Sequence, residues 1–214
     1  MSRLGRVMRI GGGRVADTTL TLSIVGAPPV EAGPSDPRWR GYDAEVTESD
    51  REVQVLVREQ LPDVDFPPGQ GKSRMGHFIL LPVNLARPLA DRLVIDLGNA
   101  LPVPVLHGLL TANPATDWTL RSEHGGSTWV QQFTGPAGHL VVAQGPPAIG
   151  TVSQPDFYEQ TGVATVRGVS AEWGSGPGET SLRWVENGQG LQVMSSNLDV
   201  EGLVDIANSL TLAE

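Results

Sequence analysis

Apolar and polar residues alternate through most of this chain in short runs instead of recurring at helical spacing. Thr18 to Val25 sets Leu20, Leu22 and Ile24 on one face and stops at Gly26-Ala27-Pro28-Pro29, the pattern of a half-buried strand ended by chain breakers. Arg51 to Gln60 repeats it, with Val53, Val55 and Val57 on one side and Glu52, Gln54, Leu56 and Arg58 on the other. Asp43 to Ser49, Gly76 to Leu85 and Asp91 to Gly98 are further strand-length segments, and Val103-Pro104-Val105 suits an edge, where proline is tolerated. Residues 30–41 and 62–74 are rich in proline and glycine and are expected as loops. A series of short strands without a helix predicts an antiparallel sandwich or partial barrel for the first half.

Strand patterning lapses between Leu106 and Asp117, which marks a boundary. Beyond it, Trp118 to Ser122, Thr128 to Thr134, His139 to Gln144, Val163 to Trp173, Thr180 to Glu186 and Leu191 to Ser195 predict six antiparallel strands. Asn187-Gly188 between two of them is a strong hairpin signal, since both residues tolerate positive φ. The chain then changes period. Asp199 suits an N-cap and Glu201 a first turn, while Val200, Leu203, Val204, Ala207 and Leu210 form one apolar stripe of a helix. The expected class is α+β, predominantly antiparallel β: a β-sandwich-like N-terminal subdomain, then an antiparallel meander backed by one C-terminal helix. The expected organisation is a flexible basic terminus over 1–16, a β-rich domain over 17–108, a linker over 109–117 and the sheet with its helix over 118–214.

Part of this second pattern resembles a known group. Thr165-Val166-Arg167-Gly168, Leu182-Arg183-Trp184-Val185-Glu186-Asn187-Gly188, Val193-Met194-Ser195-Ser196 and the helix Leu203 to Leu210 are similar to the end of bacterial envelope domains. Those domains are related to the lipoprotein-carrier and sigma-regulator (LolA- and RseB-like) superfamily, an antiparallel sheet curled around helices. The resemblance covers residues 160–214, about a quarter of the chain. It implies structural roles for the hairpin, the tryptophan and the helix, an envelope location, and no catalytic residue. The chain as written shows no signal peptide, lipid-carrying cysteine or membrane-spanning run, so a cytoplasmic location is the alternative.

Composition narrows the chemistry. The 214 residues include no cysteine, which excludes disulfides, thiolate metal sites and thiol nucleophiles. The net charge of −9 is uneven: residues 113–214 hold three arginines against eleven acids. Such an anion repels phosphate backbones, so no nucleic-acid partner is expected there; the Arg3, Arg6, Arg9, Arg14 cluster is expected as a solvated, frayed terminus, with an arm that touches nucleic acid or membrane as the alternative.

Individual motifs fall short of catalytic or cofactor signatures. Gly69-Gln70-Gly71-Lys72-Ser73 ends like a phosphate-binding loop, yet Phe66 stands where its first glycine belongs and a strand pattern follows instead of a helix. Asp63-Val64-Asp65 begins like a calcium loop, but Pro67 occupies the next ligand position. His77, His107, His124 and His139 are too dispersed to form a ligand pair in sequence, and the acids Asp43, Glu45, Glu48, Asp50 and Glu52 suit solvated strand edges. Trp39 between Arg38 and Arg40 is the candidate partner contact; the alternative is a loop anchored by its own aromatic.

The expectation is therefore a non-enzymatic binding or regulatory module of the cell envelope, without cofactor, engaging a protein partner or an apolar ligand. A hydrolase assembled from loops 30–41, 62–74 and 145–157 is one alternative. A self-associating structural protein that pairs strand edges is another.

Overall fold

The computed structural model describes residues 3–28, 30, 33–64, 76–113, 117–151 and 158–213. Of these, 60% lie in strands and 9% in helices, mostly in antiparallel sheets, so the class is β-rich α+β as the alternation implies. The chain divides into two units, Met1–Val105 and Leu106–Glu214.

The first unit contains β1 (Arg3–Met8), β2 (Ile10–Ala16), β3 (Thr19–Gly26), β4 (Gly41–Glu48), β5 (Glu52–Leu61), β6 (His77–Asn84), β7 (Leu93–Asp96) and β8 (Leu101–Pro102), with β9 (Val105–His107) at its boundary. One sheet is organised by β5. Along one edge of β5 lies β4, antiparallel; β1 pairs antiparallel with the C-terminal part of β5 and β7 parallel with its N-terminal part, and β8 extends β7. The other sheet runs β6-β3-β2-β9. Period-two alternation places Val53, Val55 and Val57 of the first sheet and Leu20, Leu22 and Ile24 of the second in one core, with Val94 and Leu89. Asp96, buried at the end of β7, accepts from the Ile10 amide at 3.1 Å and the Gly98 amide at 2.8 Å, a polar tie between the two sheets.

The N-terminus corrects the sequence reading. Residues expected to fray over 1–16 form β1 and β2 over the described part. Met8 and Ile10 are buried, whereas Arg3, Arg6 and Arg9 point outward. The arginines on the exposed face masked a strand whose few apolar residues suffice to anchor it.

The second unit contains β10 (Leu110–Thr111), β11 (Thr119–Gly125), β12 (Trp129–Gly135), β13 (Gly138–Gly145), α1 (Ala148–Thr151), β14 (Gln160–Val166), β15 (Val169–Gly176), β16 (Glu179–Glu186), β17 (Gln189–Ser195), α2 (Val200–Ser209) and β18 (Thr211–Leu212). Its main sheet has seven strands in the order β11-β12-β13-β17-β16-β15-β14, not the six of a plain meander. The extra strand arises because Val163 to Trp173 breaks at Arg167-Gly168, whose φ values of 51° and 83° make a two-residue turn. Arginine hides that turn from a reading that looks for asparagine or aspartate. The expected linker contains β10, which pairs with β18 at the chain's end, and the unit boundary falls just ahead of it.

The helix forms as its stripe requires. Asp199 caps α2 by accepting from the Gly202 amide at 2.9 Å, and Leu203 and Ala207 are fully buried against Trp184, Leu182 and Leu191. The short α1 lies against β16 and β17. Backbone contact there requires glycine: a Cβ on Gly150 would sit 2.0 Å from the Trp184 carbonyl oxygen, and one on Gly190 would sit 2.4 Å from that of Pro146.

Candidate functional site

The Arg38-Trp39-Arg40 segment is held by its own chain. Arg38 donates through Nη2 and Nε to both carboxylate oxygens of Asp36, at 2.7 and 3.0 Å, and these bonds hold Asp36 down at about 2. Arg40 turns back to the Pro37 and Trp39 carbonyls, at 3.1 and 2.5 Å, and lies 3.5 Å from Glu59. Trp39 is half-buried over Gly41, where a Cβ would meet its ring at 2.7 Å. The three residues do not project together; Arg38 is the exposed one.

Three of the carboxylates singled out in the sequence, Glu45, Glu48 and Asp50, are likewise matched to arginines. Glu45 lies 3.5 Å from Arg58, and Asp50 is 2.7 Å from Arg87. Glu48 accepts from the Ala86 amide at 2.6 Å and from Arg92 at 2.7 Å, and these contacts, the amide foremost, lower its pKa. The Arg92 guanidinium is buried and also donates to the Arg87, Pro88 and Leu89 carbonyls at 2.8, 3.0 and 3.3 Å. This arrangement binds the β6–β7 connection to the β4–β5 turn. It spends its donors on structure, beside an open depression lined by Arg87, Pro88, Asp91 and Leu93.

No group of three or more His, Asp or Glu side chains among the described residues is placed to hold a metal. The Gly69 to Ser73 motif, Asp65 and Pro67 lie outside the described residues.

A better-shaped cavity, of about 240 Å³, opens in the second unit. Four parts of the unit build it: the β14–β15 turn supplies Arg167, the β16–β17 hairpin supplies Glu186, Asn187 and Gln189, the segment around β10 and β18 supplies His107, Gly108, Leu110 and Leu212, and β13 supplies Gln144. Leu191 and Leu110 give it apolar walls that continue into the core. Gln144, fully buried at the end of β13, accepts from the Leu110 amide at 2.9 Å and donates to the Gly108 carbonyl and to Gln189 Oε1. Gln189 donates in turn to the His107 carbonyl at 2.8 Å. At the rim, Arg167 donates to Glu186 at 2.9 Å and to the Leu210 carbonyl at 2.9 Å, while Trp184 Nε1 donates to Glu186 at 3.1 Å.

Gln144 and Gln189 thus satisfy each other and the nearby backbone, and Arg167 satisfies Glu186, while His107 and Asn187 complete the polar lining. Buried amides paired in this way fix the shape of a cavity. Of the described residues lining it, none offers a hydroxyl or thiol nucleophile. The volume lies below the roughly 300 Å³ at which sites for drug-sized ligands begin.

Sequence reasoning found the Asn187-Gly188 hairpin but missed the cavity. Its two glutamines are 45 residues apart and meet only because β13 and β17 are neighbours. A glutamine closing the apolar run of β13 was the one visible signal.

No protein family, curated protein or solved structure matches this chain.

Proposed function

We propose that this chain is a non-enzymatic binding module that takes a protein partner through its C-terminal unit. The cavity at the Arg167–Glu186 rim carries the reading: apolar walls, glutamines and a rim ion pair already engaged with one another, and a volume below that of a drug-sized site. Leu212, 65% exposed at its mouth, offers apolar surface to such a contact. The resemblance of residues 160–214 to carrier and sigma-regulator domains supports placing the module at a bacterial cell envelope.

Native mass spectrometry of the protein purified from its own host tests the proposal. The expected result is a retained protein partner, lost in Leu212→Glu, a change on an exposed side chain that leaves the core intact. A stoichiometric small organic ligand would overturn it, and so would turnover of ester, phosphate or peptide substrates that falls with cavity substitutions.

A further inference from the structure

We propose that the open edge of β14 docks an extended, basic segment of a protein partner, which joins the seven-stranded sheet as an additional strand. This reading is independent of the cavity. A sheet edge offers unpaired N–H and C=O groups, and proteins ordinarily block them with charge, proline, bulges or brevity. The other edges here follow that rule: β4 carries Asp43, Glu45 and Glu48, β6 contains Pro82, β8 is two residues long, and β11 has Arg121, Glu123 and a register shift between Leu120 and Ser122. β14, with the sequence QTGVATV, has none of these devices and pairs with β15 alone among the described residues.

Register shows which groups are offered. Val166 and Val169 flank the two-residue turn as a hydrogen-bonded pair, so Ala164 and Gly162 also bond inward to β15. Thr161, Val163 and Thr165 therefore turn their N–H and C=O groups to the open side. Their side chains are exposed, Val163 by 70%, and all three are β-branched, the type that best supports a further strand. On the opposite face, the Trp173 ring lies on Gly162, where a Cβ would come within 2.7 Å of it, so an incoming strand meets a tryptophan beside the edge.

Charge selects the occupant. The unit carries three arginines against eleven acids, with Glu159 directly before β14 and Glu172 opposite Val163 in register. A second copy of the chain would bring the same negative charge to the contact, whereas a lysine- or arginine-bearing segment is attracted to it.

The test uses the full chain and a lysine-flanked peptide of alternating threonine and valine, read by hydrogen exchange of the Thr161, Val163 and Thr165 amides and by titration. Those amides should gain protection on adding peptide, with binding weakening as salt rises. Replacing the flanking lysines by glutamates should weaken binding about tenfold, as should Val163→Pro, which removes an outward donor. Val163→Lys keeps the donor, adds a repelling charge and should also weaken it, so a folding defect from proline cannot decide the outcome. The proposal is overturned by absence of protection, by unchanged binding in both variants, or by a concentration-dependent dimer that Val163→Lys dissociates.

Discussion

Arg92 illustrates how single side chains settle the first unit. Its guanidinium serves Glu48 and three carbonyls of the β6–β7 connection. Removing it leaves those acceptors without their donor, and breaking such a buried pair costs about 3–5 kcal/mol. Arg92→Ala should therefore lower the denaturant midpoint strongly, and Arg92→Lys should recover only part, since an ammonium cannot reproduce the planar fork. Glu48 adds a pH dependence. Its folded pKa lies below the ordinary 4.5, so its stabilisation is complete above about pH 4.5 and is lost as pH falls through the lower folded value. Acid titration of stability should show a loss in that window for the wild type that is reduced in Glu48→Gln.

At the scale of elements, the close approach of α1 to the sheet depends on Gly150 facing the Trp184 carbonyl. Gly150→Val should destabilise the second unit, seen as faster hydrogen exchange across β16 and β17. Leu203→Ala should cost about 2–5 kcal/mol through the cavity it leaves beneath α2. The α2 stripe, its Asp199 cap and the Val53-Val55-Val57 row were legible in sequence because burial of one face imposes a period. β1 was not, because its outward arginines outweigh Met8 in any local window. The Arg167-Gly168 turn was missed for a related reason: only one of its residues has an intrinsic preference for positive φ, and pairing between β14 and β15 holds the other there. Non-local convergence of Gln144 and Gln189 has no local signature beyond the glutamine that closes the apolar run of β13.

For the molecule as a whole, the two units differ in charge more than in secondary structure. The second carries the negative balance, the cavity and the unguarded β14 edge, and is the unit proposed to bind the partner. The chain has one lysine, so carboxylate-directed cross-linking followed by mass spectrometry, on the intact protein with the partner it retains from its host, reads the contact most directly. Cross-links at Glu159, Glu172 and Glu186 are the predicted result. Cross-links confined to acids of the first unit, such as Asp36, Glu45 and Asp50, would contradict it.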